Sequence, residues 1–100
     1  MFVNVEYRQV RVNFSSILFI EGMKDYVKIH IDQGKPILTR TSMKSIEEKL
    51  PEEAFARIHK SYIVPLPRIH EIKKGLVTIA NTEIPVSDNY REKLERRLGI

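Results

Sequence analysis

The stretch Arg57-Ile58-His59-Lys60-Ser61-Tyr62-Ile63-Val64 sets apolar shoulders on either side of a polar His-Lys-Ser centre. The shoulders demand burial and the centre resists it, so the segment reads as a presented loop between two strands. The same reading extends outward from it. Val27, Ile29 and Ile31 alternate with Tyr26, Lys28 and His30, while Val3, Val5 and Tyr7 are set to share one face and Val10, Val12 and Phe14 another. A period of two means strands with one wet face. Asp32-Gln33-Gly34-Lys35 offers the turn of a hairpin leading into a strand at 36–39, where Pro36 at the start removes no ladder donor. Lys73-Lys74-Gly75 does the same between strands at 68–72 and 76–80.

Two segments change period. Met43, Ile46 and Leu50 fall at i, i+3 and i+7, Ser42 can cap the first turn and Pro51 stops the run, which predicts a helix of about two turns over 42–50. From Ser87 onward Tyr90, Leu94 and Leu98 recur every four residues, with Asp88 at the positive end and Arg96 and Arg97 at the negative end, predicting a helix over 88–98. Its narrow apolar stripe suits docking on a sheet and is too thin for a bilayer surface. Many short strands with two small helices make a mainly β chain, an antiparallel sheet structure with helices packed on it.

A chain of 100 residues has room for one domain, 1–100. Seventeen Lys and Arg against thirteen Asp and Glu leave a net charge of +4, which is compatible with a polyanionic partner without requiring one. The lack of cysteine excludes disulfides, zinc-thiolate sites and thiol catalysis. His30, His59 and His70 have no helical i, i+4 spacing, so no metal site is expected. Four scattered glycines build no phosphate loop or nucleophile elbow. No cofactor and no enzymatic activity are expected. Apolar runs reach about four residues, far short of the roughly 20 that span a bilayer, and no signal peptide follows Met1, so a cytoplasmic protein with no membrane contact is expected.

Together with Phe19-Ile20-Glu21-Gly22-Met23-Lys24-Asp25-Tyr26-Val27-Lys28-Ile29-His30, the opening stretch closely resembles the LytTR family, bacterial DNA-binding domains found mostly at the C-termini of response regulators. The resemblance continues through Leu38-Thr39-Arg40-Thr41-Ser42-Met43-Lys44 and Ile84-Pro85-Val86-Ser87-Asp88-Asn89-Tyr90-Arg91, and covers about 12–98. It implies an elongated stack of short antiparallel sheets, about ten strands, with one or two small helices. It also implies sequence-specific binding to double-stranded DNA with direct-repeat half-sites, a second copy of the chain on that DNA, and a two-component system. A receiver domain, phosphorylated by a sensor kinase, would then precede residue 1.

Three constellations are candidates for base or groove contact. Lys24, Asp25 and Tyr26 display a cation, a carboxylate and a phenol just after Gly22; the competing reading is an ordinary hairpin loop with Tyr26 partly buried. His59, Lys60 and Ser61 offer donors for bases or phosphates, with His59 also able to turn inward and bond backbone. The resemblance places this loop in a DNA groove, with Lys60 near bases. Asn89 at the start of the last helix could bond adenine, although the family often carries a basic residue around Asp88 and Asn89, where this chain has an acid and an amide. Lys28, Arg40, Lys44, Lys73, Lys74 and Arg91 are candidates for phosphate contact. Arg57 and Arg68 could equally be cross-strand partners of Glu71 or another acid, and Glu47, Glu48, Glu52 and Glu53 read as a solvated acidic face turned away from DNA.

Two other classes compete with DNA reading. One is an interaction or self-association module that pairs through exposed strand edges. The other is single-stranded nucleic-acid binding on an aromatic sheet face, which Phe2, Phe14, Phe19 and Phe55 oppose if, as their positions suggest, they are buried.

Overall fold

The computed structural model describes all 100 residues, Met1–Ile100. Strands β1 (Phe2–Val5) and β2 (Arg8–Arg11) form a hairpin. Strands β3 (Ile17–Gly22), β4 (Val27–Ile31) and β5 (Ile37–Thr39) lead to helix α1 (Met43–Lys49), and then come β6 (Phe55–His59) and β7 (Tyr62–Pro65). Strands β8 (Glu71–Lys73), β9 (Leu76–Ile79) and β10 (Thr82–Pro85) precede helix α2 (Asp88–Leu98). All pairings are antiparallel. The middle layer is a five-stranded sheet in the order β5-β4-β3-β7-β6, and a separate three-stranded sheet runs β10-β9-β8.

The middle sheet is buried on both faces because its strands carry apolar residues at odd and even positions alike. Ile20, Ile29 and Ile63 point to one core with Val3 and Val12 of the first hairpin region and Ile46 of α1. Phe19, Ile58 and Val64 point to the other, against Val77, Ile79 and Ile84 of the small sheet and Leu94 of α2. Each such fully buried side chain contributes about 1.5–3 kcal/mol relative to an exposed one. Stacking three thin layers gives an elongated body of 43 × 24 × 21 Å.

Local chemistry ends the elements where expected. The Ser42 hydroxyl accepts the Ser45 N–H at 3.1 Å, capping α1. Gly99 adopts φ 76° to stop α2, which only glycine does without cost. The Arg97 guanidinium donates to the carbonyls of Phe55 and Glu52 at 2.7 and 2.6 Å, fastening α2 to the start of β6. No helix is long and apolar enough to cross a membrane.

Several expectations fail locally. Tyr7 shares no face with Val3: the strand stops at Val5, Glu6 takes φ 57° in the turn and Tyr7 is exposed. Phe14 lies in a short 3-10 turn (Phe14–Ser16) and Phe2 faces outward, so both are substantially exposed whereas Phe19 and Phe55 are buried. Phe2 is instead covered by the Arg11 guanidinium, and Phe14 packs edge-on to Phe55. The strand expected at 68–72 begins only at Glu71, because Pro67 closes a 3-10 turn over Leu66–Arg68. Arg57 and Arg68 do each pair with an acid, though not with Glu71: Arg57 meets Glu47 at 3.0 Å and Arg68 meets Asp32 at 2.9 Å.

Candidate nucleic-acid interface

Four chain reversals meet at one edge of the fold, and backbone hydrogen bonds hold them there. The loop between β3 and β4 is closed by the Met23 N–H donating to the Tyr26 carbonyl at 2.8 Å. It is joined to the β6–β7 turn by the Gly22 N–H, which donates to the Ser61 carbonyl at 2.7 Å. That turn is joined to the start of α2 by the Ser87 N–H, which donates to the Ile58 carbonyl at 3.0 Å. The β8–β9 turn is the fourth, its Gly75 carbonyl accepting the Val86 N–H at 2.9 Å.

The structure therefore brings the loop of Lys24, Asp25 and Tyr26 beside the turn of His59, Lys60 and Ser61, with Asn89 in the first turn of α2, two residues after the Ser87 that bonds Ile58. Lys24, Asp25, Lys60, Asp88 and Asn89 are exposed, and Tyr26 is 40% exposed. Arg40 leaves β5 at the same edge and stands 5.9 Å from the centre of the Tyr26 ring. Lys44 lies in the first turn of α1, whose Met43 packs so closely on Gly22 that a Cβ there would sit 2.8 Å from Met43 Cγ. Lys28, half-buried within β4, pairs with Glu21 one rung behind the loop. Lys74 is exposed in the β8–β9 turn, whereas Lys73 is held by Glu83 at 3.1 Å, which raises its pKa above the ordinary lysine value chiefly through that hydrogen bond. Arg91 lies 3.7 Å from Glu95 along α2.

The β6–β7 turn owes its shape to side chains behind it. A register shift between Arg57 and His59 bulges the strand and re-aims the Lys60-Ser61 tip. His59 does turn inward, its Nδ1 accepting the Ser61 N–H at 3.0 Å. The Arg57 guanidinium donates from Nε to the His59 carbonyl at 2.9 Å, from Nη2 to the Lys60 carbonyl and from Nη1 to Glu47 Oε1. Glu47 is thus part of the site's support and not merely a member of a solvated acidic face. Sequence reasoning assigns neither residue this role, since an arginine within a strand carries no sign of a bulge or of a helix carboxylate behind it.

A second brace lies on the face toward the small sheet. Glu21 accepts from His30 Nε2 at 3.0 Å and from the Tyr62 hydroxyl at 3.4 Å, and Phe19 stacks on His30 at 4.1 Å. Burial first, and the Glu21 carboxylate second, push the Tyr62 hydroxyl above its ordinary pKa of 10.0. The phenol stays neutral and remains a donor.

An elongated β scaffold that gathers exposed basic side chains on loops along one edge has the architecture of a DNA-binding domain. The chain belongs to the LytTR family: the family model for the LytTr DNA-binding domain matches residues 7–99. It is similar to the sensory transduction protein LytT of Bacillus cereus, with 25% identity over 98% of this chain and 46% of that protein. LytT of Enterococcus faecalis is 32% identical over 74% of the chain and 33% of its own length. The chain thus spans less than half the length of these curated relatives. Among solved structures, the LytTr DNA-binding domain of a Bacillus cereus response regulator superposes with a TM-score of 0.83 over 100% of this chain and 96% of that one, at 23% identity, a likeness of fold.

Proposed function

We propose that this chain reads sequence in double-stranded DNA as the effector domain of a bacterial two-component transcriptional response regulator. The β3–β4 loop, the β6–β7 turn and the start of α2 enter successive grooves. Lys24, Asp25, Tyr26, Lys60, Ser61 and Asn89 meet bases or groove walls, with His59 setting the turn. Lys28, Arg40, Lys44, Lys74 and Arg91 serve the phosphates, and Lys73 joins them from its pair with Glu83. Phosphate contacts fix orientation and the few groove contacts carry sequence.

The observation that carries this reading is the pair of hydrogen bonds, from the Gly22 N–H to the Ser61 carbonyl and from the Ser87 N–H to the Ile58 carbonyl, which hold three polar tips at one edge. The relatives' names support the regulatory context, as sensory transduction proteins longer than this chain. Residues 1–100 act as one domain, following a receiver domain that a sensor kinase phosphorylates. Two copies occupy direct-repeat half-sites. The chain performs no chemistry of its own and works in the cytoplasm.

Selection from a random duplex pool, followed by fluorescence anisotropy at several salt concentrations, tests the proposal. A repeated motif with half-sites near one helical turn should be enriched. If five or six phosphates are neutralised, log affinity should fall against log salt with a slope of about −5. Lys60→Ala should weaken binding to the selected duplex by about 1–3 kcal/mol with little change in fold stability. Binding without any enriched sequence, or a Lys60→Ala protein that binds like the parent, would refute the reading and favour a module that pairs through its strand edges.

A further inference from the structure

We propose that Arg57 is a positioning residue for DNA reading: it holds the Lys60-Ser61 turn in its binding conformation and ties that conformation to helix α1. The inference rests on the function proposed above. Two-residue hairpin connections are ordinarily fixed by Gly or Asn in left-handed conformations, and neither Lys60 nor Ser61 is such a residue or has positive φ. Strand β6 is also bulged just before the turn. Local backbone preference therefore leaves the turn's shape open, and side chains must supply the constraint.

Arg57 supplies it through the fork of its guanidinium. Nε and Nη2 donate to two successive carbonyls of the turn, His59 and Lys60, while Nη1 donates to Glu47 on α1. Its side chain is only 17% exposed. Each of its three nitrogens already has an acceptor within the protein, so the charge braces the turn from inside. Glu47 anchors the fork, and α1 also presses Met43 on Gly22 of the neighbouring loop, so one helix registers both tips. Lysine cannot replace this arrangement, because one ammonium does not span three acceptors in a planar fork.

The test compares the wild-type protein with Arg57→Lys, Arg57→Gln and Glu47→Gln, each checked for folding by thermal unfolding. Backbone 15N heteronuclear NOEs are measured on the free proteins, and affinities for the selected and a scrambled duplex at two salt concentrations. Arg57→Lys should lower the NOEs of Lys60 and Ser61 and leave those of Lys24 and Asp25 unchanged. If the turn is then competent about a tenth of the time, affinity for the selected duplex falls about tenfold. The scrambled duplex should be bound within about twofold of wild type, with an unchanged salt slope, because the net charge is kept. Glu47→Gln, which keeps an acceptor, should show a smaller loss of the same kind.

Wild-type order at Lys60 and Ser61 in Arg57→Lys overturns the proposal, as does wild-type affinity for the selected duplex. So does a pattern in which Arg57→Lys binds normally while Arg57→Gln weakens both duplexes equally and lowers the salt slope by about one, which would make Arg57 a phosphate contact. If the wild-type protein prefers no sequence, the DNA-reading function fails. The brace itself is then judged by the relaxation data, and unchanged order in Arg57→Lys refutes it.

Discussion

Replacing Gly22 by alanine probes the close packing of helix α1 on the candidate interface. Gly22 has an ordinary negative φ, so alanine meets no backbone penalty and should gain about 0.4–1 kcal/mol from a less flexible unfolded chain. Against this, the added Cβ would lie 2.8 Å from Met43 Cγ, 3.1 Å from its Sδ and 3.5 Å from Ser61 Cα. The first two distances force Met43 off the position in which it packs on the first core, and overpacking of this kind costs about 1–3 kcal/mol. The net expectation is destabilisation by about 1 kcal/mol, or a fall in Tm of about 4–8 °C for a domain of this size. Urea unfolding with linear extrapolation measures it, together with Met43→Ala and the double variant. The clash predicts that Gly22→Ala costs less in the Met43→Ala background than in the parent. A Gly22→Ala protein as stable as the parent, or additive energies in the cycle, would refute the argument.

Other expectations concern the supporting structure. Leu94, buried to 1% exposure under the small sheet, should cost about 2–5 kcal/mol as alanine by denaturant unfolding. Ala80 and Asn81 both have positive φ, 48° and 64°, in the β9–β10 turn, so Ala80→Gly should raise stability by about 0.5–1 kcal/mol; a loss would show that the alanine is unstrained. Tyr62 binds its proton more tightly when folded than when unfolded, so its contribution to stability is complete below pH 10.0 and is lost as pH rises through the higher folded value. Phenolate absorbance at 295 nm should show a late component above that pH, absent in Tyr62→Phe and shifted lower in Glu21→Gln. A titration identical in all three proteins would contradict the assigned cause.

Much of the fold is legible in the sequence because its devices are local. Helix α1 is marked by Ser42 and Pro51, α2 by Asp88 and its four-residue stripe, and the β4–β5 and β8–β9 turns by Gly34 and Gly75. The layering is not legible in the same way. Ile20 and Phe19 are adjacent and both buried, and only the pairing of β3 with β7 assigns them to opposite cores. The exposure of Phe2, Phe14 and Tyr7 escapes sequence reasoning because alternation marks a face without saying whether anything covers it. In the candidate interface, the tips themselves stand out as polar residues between apolar arms. Their supports do not, since Arg57 meets Glu47 ten positions away and Tyr62 meets Glu21 forty-one positions away.

The central place of the middle sheet has a consequence for how the chain reaches its folded state. Strands β3 and β4 form one local hairpin and β6 and β7 another, but Ile20 pairs with Ile63 only after a long excursion through β4, β5 and α1. Closing a loop of roughly 40 residues costs on the order of 3 kcal/mol of chain entropy before any contact offsets it. That single docking creates the inner surface of both cores and brings Gly22 to Ser61 in the same event. Neither hairpin alone offers an outer layer a finished surface on which to settle. Assembly of the two loops is therefore coupled to formation of the whole domain, and a chain in which the two hairpins have not docked does not yet hold the two tips at their folded spacing.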